Sequence, residues 1–127
     1  MIRFGPSGNS ESFYNQGYKS SVQMPAWLKS MGLNAYEYQC SKGVNVGEAT
    51  ARSIGEEAAK NDIYLSIHAP YYINLASEQE EKRINSKQYI IQTLTCAKWM
   101  GAKRVVVHTG SYRKVDKKWA LDMAKKL

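Results

Sequence analysis

The chain has 127 residues, 43% of them hydrophobic and 23% charged, with a formal charge of +7. That length gives one domain with a single modest core, and no stretch approaches the ~18–20 apolar residues of a membrane span. The first residues, Met1-Ile2-Arg3-Phe4-Gly5-Pro6, lack the apolar run of a signal peptide, so the expected compartment is the cytoplasm.

In chain order, residues 3–4 begin a first strand, ended by Gly5-Pro6-Ser7-Gly8. A polar, aromatic loop follows. A helix is then signalled by Pro25 in its first turn and Gly32 past its end, with Trp27, Leu28 and Met31 as its buried stripe. Residues 33–39 alternate and are aromatic enough for a second strand. Residues 48–60 form a helix with Ala51, Ile54 and Ala58 at core spacing.

Residues 64–68 are a third strand, apolar enough to be covered on both faces. After a loop, Ser77 caps a long helix whose first turn holds Glu78, Glu80 and Glu81 and which stops at Gly101. Residues 104–108 are a fourth strand, and Asp116 caps a last helix. Strands alternating with helices at this spacing imply parallel strands with crossover helices, an α/β fold. Four such units are half of an eight-unit barrel, and no stop signal follows Ala124-Lys125-Lys126-Leu127. The expectation is therefore a parallel (β/α)4 half of a TIM (β/α)8 barrel. Residues 1–127 are accordingly expected to be a single, incomplete domain, the amino-terminal half of something larger.

The charge is unevenly distributed. Residues 1–97 balance, whereas residues 98–127 carry nine basic side chains against Asp116 and Asp122. Such a segment favours polyanions through counterion release, although a lysine-rich solvated helix face gives the same count. Cys40 and Cys96 form no CxxC and read as reduced thiols, Cys96 in the core beside Leu94, Ala97 and Met100.

The chain's only histidines, His68 and His108, each end an apolar strand and precede a turn, Ala69-Pro70 and Thr109-Gly110. Parallel α/β folds put their chemistry at this carboxyl edge. Neighbouring strands lie about 4.8 Å apart, close enough for two imidazoles to share a metal at about 2.0–2.1 Å. A single strand-end histidine is an ordinary hydrogen-bonding residue, but two at one height on consecutive strands point to a metal or a phosphate. Glu37, inside the second strand, is the one acidic residue near another strand end. Tyr71 and Tyr72, in the loop after His68, can stack on bases or enter a groove; alternatively, Tyr71 and Ile73 simply cover the barrel top. The hydroxyl-flanked glycine of Thr109-Gly110-Ser111 is a weak phosphate signal.

His68-Ala69-Pro70-Tyr71-Tyr72-Ile73-Asn74-Leu75, with His108-Thr109-Gly110-Ser111 forty residues on, resembles the amino-terminal half of the endonuclease IV family of zinc-dependent apurinic/apyrimidinic endonucleases. More broadly, the chain resembles the xylose-isomerase-like TIM barrels. The first relationship implies a zinc cluster at the strand carboxyl ends, with His68 and His108 as ligands of one Zn2+. Tyr71 and Tyr72 match the loop that this family inserts into the DNA minor groove at an abasic site. Lys42, in the loop 41–43, matches a second DNA-contacting loop more loosely.

The implied reaction is hydrolysis of the phosphodiester 5′ to an abasic site, with metals activating a hydroxide and stabilising the attacking and leaving oxygens. Thr109 departs from the family by replacing a turn proline. The family's remaining ligands lie on later strands. No complete catalytic set is therefore expected in these residues, and the isolated chain is expected to be inert. Exposed half-barrel edges imply self-association. The alternatives are a metal-dependent sugar isomerase or epimerase of the same barrel class, and a non-catalytic barrel fragment.

Overall fold

A computed structural model describes residues 1–127. Its centre is a three-stranded parallel sheet in the order β1 (Ala35–Gln39), β2 (Tyr64–His68), β3 (Arg104–Val106). The helices are α1 (Glu11–Asn15), α2 (Met24–Ser30), α3 (Glu48–Lys60), α4 (Glu80–Met100) and α5 (Lys117–Lys125). None is long and apolar enough to cross a membrane. The expected parallel α/β arrangement is present, and residues 48–60 and 64–68 form the elements their patterns predict.

The first predicted strand is reduced to a single parallel bridge, Ser7 to Glu37. The Phe4 carbonyl accepts from the Ala35 N–H (3.1 Å) and the Pro6 carbonyl from the Glu37 N–H (3.1 Å), so the segment does run alongside β1. Pro6 has no N–H to return to Ala35, and the ladder breaks there. Gly5 permits the close approach, since a Cβ at that position would lie 1.6 Å from the Ala35 carbonyl oxygen.

Three other boundaries differ from the sequence reading. The loop before α2 contains α1, capped by Ser10, and a 3-10 turn, Ser21–Gln23, closed by a Ser20–Gln23 capping box. The long helix begins at Glu80, because the Ser77 hydroxyl accepts from the Gln79 N–H in a local turn instead of capping a helix. β3 ends at Val106 and not at residue 108. Beyond it the Tyr71 N–H turns to the Ser41 carbonyl (3.2 Å), and the Ala69 carbonyl is taken by the His68 imidazole.

The main core lies on one face of the sheet. Leu65 and Ile67 of β2 pack with Leu28, Ile54, Ala58, Cys96 and Met100 in one buried cluster. Met31 and Leu94 are exposed, contrary to their predicted core roles. Met31 lies past the end of α2, and Leu94 faces away from the sheet on α4. Gly55 lets α3 and α4 approach closely, since a Cβ there would lie 2.3 Å from the Met100 carbonyl oxygen. Gly101 ends α4 at φ 70°, the left-handed cap its position predicts.

β2 is not covered on both faces. Its burial alternates, with Leu65 and Ile67 sealed and Tyr64, Ser66 and His68 only half-buried. The register pairs Glu37 with Ser66 and Gln39 with His68, so these polar residues share the open face.

Candidate functional site

The two histidines converge. His68 is the last residue of β2, and His108 lies two residues past β3 on the same side as Val106, the register partner of His68. Their ring centroids are 4.9 Å apart, with the planes inclined at 37°. His68 Nδ1 lies 2.8 Å from the Ala69 carbonyl oxygen. A carbonyl only accepts, so Nδ1 carries the proton and Nε2 presents its lone pair. Metal-binding histidines are commonly fixed in this way.

Glu37 does not join the pair. It lies two residues before the end of β1, about 7 Å back along the strand. The Ser7 hydroxyl donates to its Oε1 (2.7 Å) and the Ser66 hydroxyl to its Oε2 (3.0 Å). Gln39 completes this polar network through the Ser7 hydroxyl. No group of three or more His, Cys, Asp or Glu side chains is placed to hold a metal ion. The donors present therefore fit two positions of a four-coordinate zinc and no more.

The loops beyond the strands are tied to one another. The Tyr71 N–H donates to the Ser41 carbonyl, which sets the Lys42 loop against the tyrosine loop. Lys42 is exposed. Tyr71 and Tyr72 are 56% and 54% exposed, with ring centroids 5.0 Å apart. Ile73 is buried beneath them with Ala69 and Leu75, so of Tyr71 and Ile73 only Ile73 covers the core. Both tyrosines and Lys42 thus occupy the edge that carries the histidines.

Asn74 is the residue whose role the sequence conceals. Its Oδ1 accepts from the Ala76 N–H (3.1 Å) and the Ser111 N–H (3.4 Å), while the Leu75 N–H donates to the Thr109 carbonyl (2.8 Å). Gly110, at φ 148°, makes room, since a Cβ there would lie 2.4 Å from Asn74 Oδ1. In the Thr109-Gly110-Ser111 turn, the Ser111 N–H is thus engaged by Asn74. An Asx turn is the one local signal that Asn74 offers in sequence.

Neither cysteine belongs to this site. Both are buried in the core. Burial, reinforced by Cys96, pushes the Cys40 thiol up to about 12, and burial also raises that of Cys96. Such thiols are poor nucleophiles.

Residues 25–127 match the family model described as Xylose isomerase-like TIM barrel. An uncharacterised protein of Methanocaldococcus jannaschii is 40% identical over 117 residues, covering 92% of this chain and 40% of that protein. A probable endonuclease 4 of Mycobacterium ulcerans is 46% identical over 54 residues, 42% of this chain and 21% of its own length.

Among solved structures, endonuclease IV from Thermus thermophilus superposes with a TM-score of 0.63 at 21% identity, covering 98% of this chain and 45% of that one. The 3-keto-D-glucoside 4-epimerase of E. coli gives 0.72 at 13% identity over 99% and 49%. These structural likenesses describe the fold alone. The chain spans less than half the length of each of these proteins.

Proposed function

This chain belongs to the xylose isomerase-like TIM barrel family, and from that premise we propose that it supplies the first metal-binding corner of an endonuclease IV-type DNA-repair phosphodiesterase. The observation that carries the reading is the contact of His68 with His108 at the carboxyl edge, 4.9 Å between ring centroids. The segment similar to endonuclease 4 of mycobacteria supports the same choice of substrate.

His68 and His108 would hold one Zn2+. A zinc ion held by neutral imidazoles keeps its full charge and supplies an acidified water together with charge stabilisation for a phosphodiester. The Ala69 carbonyl keeps the His68 proton on Nδ1 and frees Nε2 for binding. Tyr71 and Tyr72 offer exposed aromatic faces to an abasic gap, where the missing base leaves its neighbours unstacked. Lys42 adds a cation for the DNA backbone. With two donors in reach, this chain by itself is a binding element and does not cleave.

The test is a zinc titration of the 127-residue chain, followed by binding of an abasic-site duplex across a salt series. Zinc binding that disappears in His68→Ala and His108→Ala, together with a steep fall of DNA affinity with salt, is the expected result. Salt-independent binding of a ketose without duplex binding favours the sugar epimerase reading. A folded chain that binds no zinc favours a non-catalytic fragment. Robust metal-dependent cleavage by the isolated chain overturns its assignment as an inert corner.

A further inference from the structure

A second polar cavity lies beside the histidine edge, between the loop that leads into α4 and the loop after β3. Its volume is about 280 Å³, and its lining includes Ser77, Lys82, Ser111, Arg113 and Lys114. We propose that this cavity is a phosphate-binding site, separate from the histidine pair.

Three features carry the assignment. The first is charge: Lys82, Arg113 and Lys114 line one cavity against a single carboxylate, Glu78. None of the three cations is among the chain's ion pairs, and none donates a side-chain hydrogen bond within the protein. Unpaired cations around a concave surface attract an anion far more strongly than the same charges spread over a convex one.

The second is the orientation of the hydroxyls. The Ser77 oxygen accepts from the Gln79 N–H (3.3 Å), and the Ser111 oxygen accepts from the Arg113 N–H (3.3 Å). A hydroxyl carries one donor, and in neither serine does that O–H find a protein acceptor. The cavity therefore presents two free O–H donors besides the ammonium and guanidinium groups, a set suited to phosphate oxygens.

The third is rigidity. Arg83 Nη1 donates to the carbonyls of Ser77 (2.6 Å) and Glu78 (3.2 Å), fixing one wall. Asn74 Oδ1 holds the Ser111 N–H, fixing the other wall to the first. A preformed donor set loses less free energy on binding than one that must be ordered.

Phosphate can arrive as a phosphodiester of a nucleic-acid backbone or as a small phosphorylated substrate, and the cavity chemistry is the same for both. The experiment follows backbone amide resonances during titration with inorganic phosphate. The amides of Gln79, Ser111, Arg113 and Lys114 are expected to shift together and saturate. The double variant Arg113→Ala/Lys114→Ala should weaken phosphate binding by roughly ten-fold or more, and Lys82→Ala should weaken it by a smaller factor. His68→Ala/His108→Ala should leave it unchanged.

A short DNA duplex added to the phosphate complex separates the two sources. Displacement of phosphate assigns the site to a backbone phosphodiester. Retention assigns it to a small phosphorylated ligand and leaves the DNA reading of the histidine edge to its own salt-series test. The proposal is overturned if the cavity amides do not saturate. It is also overturned if folded Arg113→Ala/Lys114→Ala binds phosphate as before, or if the shifts spread equally over the lysines of α5.

Discussion

Along β2, Leu65 and Ile67 are sealed in the core with Leu28, Ile54 and Met100, while Ser66 and His68, on the alternate positions, stand on the open face. The sealed face is apolar and contains no titratable group poised for chemistry. The open face and its carboxyl edge carry Glu37, Ser66 and His68, held by hydrogen bonds instead of by packing, with the His108 ring set against that of His68. Because side chains alternate in a strand, one short run of residues serves both purposes. Stability should therefore respond to changes on the first face and binding to changes on the second.

The largest expected effect on stability is collective and lies at alkaline pH. Burial raises the protonation constants of Tyr36, Tyr38, Cys40 and Cys96 above their ordinary values. Below about pH 9 the folded and unfolded chains both hold these protons. Above it the unfolded chain releases them first, so stability falls progressively as pH rises towards about 12, where the folded Cys40 titrates. Denaturation midpoints should decline steadily from about pH 9 upward, and a flat profile there would show that these groups are not sealed.

Next come single core substitutions. Phe13 is fully buried, stacked on Tyr18 (5.1 Å) and edge-on to Trp27 (5.3 Å). Phe13→Ala should cost about 3–5 kcal/mol, read from urea unfolding. Gly55→Ala places a Cβ 2.3 Å from the Met100 carbonyl oxygen and should cost about 1–3 kcal/mol as α3 and α4 are forced apart. A smaller loss in either variant would indicate a looser helix layer than the packing implies.

The sealed face was also the more legible one in sequence. Ala51, Ile54 and Ala58 announce α3 because helical spacing and burial coincide. Gly101 and Asp116 mark a helix end and a helix start by local chemistry alone. Two of the boundary errors arise where a backbone donor or a hydroxyl finds a different partner. Pro6 removes one N–H and reduces a strand to a bridge, and Ser77 caps a turn instead of α4. That β2 is bare on one side could not be read from Tyr64-Leu65-Ser66-Ile67-His68, because the pattern does not specify what covers a polar position.

At the edge, the convergence of His68 and His108 was legible because His68 ends β2 and His108 follows the neighbouring parallel strand β3 by two residues. The tie made by Asn74 was not, because it joins residues thirty-seven positions apart through a side-chain oxygen. Asn74→Ala leaves the Ala76 and Ser111 N–H groups without that acceptor, at a cost of about 1–2 kcal/mol. Hydrogen exchange should quicken at both amides. If exchange changes only at Ala76, the two loops are held by the Leu75–Thr109 bond and Asn74 is a local turn residue.

The smallest effect on stability is expected from the residues that matter most to the proposed chemistry. His108 is exposed, and His68 is half-buried with a single hydrogen bond to the adjacent Ala69 carbonyl. Neither imidazole supports the helix layer, so His68→Ala and His108→Ala should each shift stability by no more than about 0.5 kcal/mol. If the two rings form one metal corner, zinc affinity should collapse in either variant, because one imidazole alone is a weak surface ligand. Zinc should in turn stabilise the unsubstituted chain by mass action and leave the variants unmoved. A large loss of stability in either variant without zinc would instead make the histidine pair part of the packing that joins β2 to β3. The division between a face that holds the fold and an edge that binds would then fail at its most specific point.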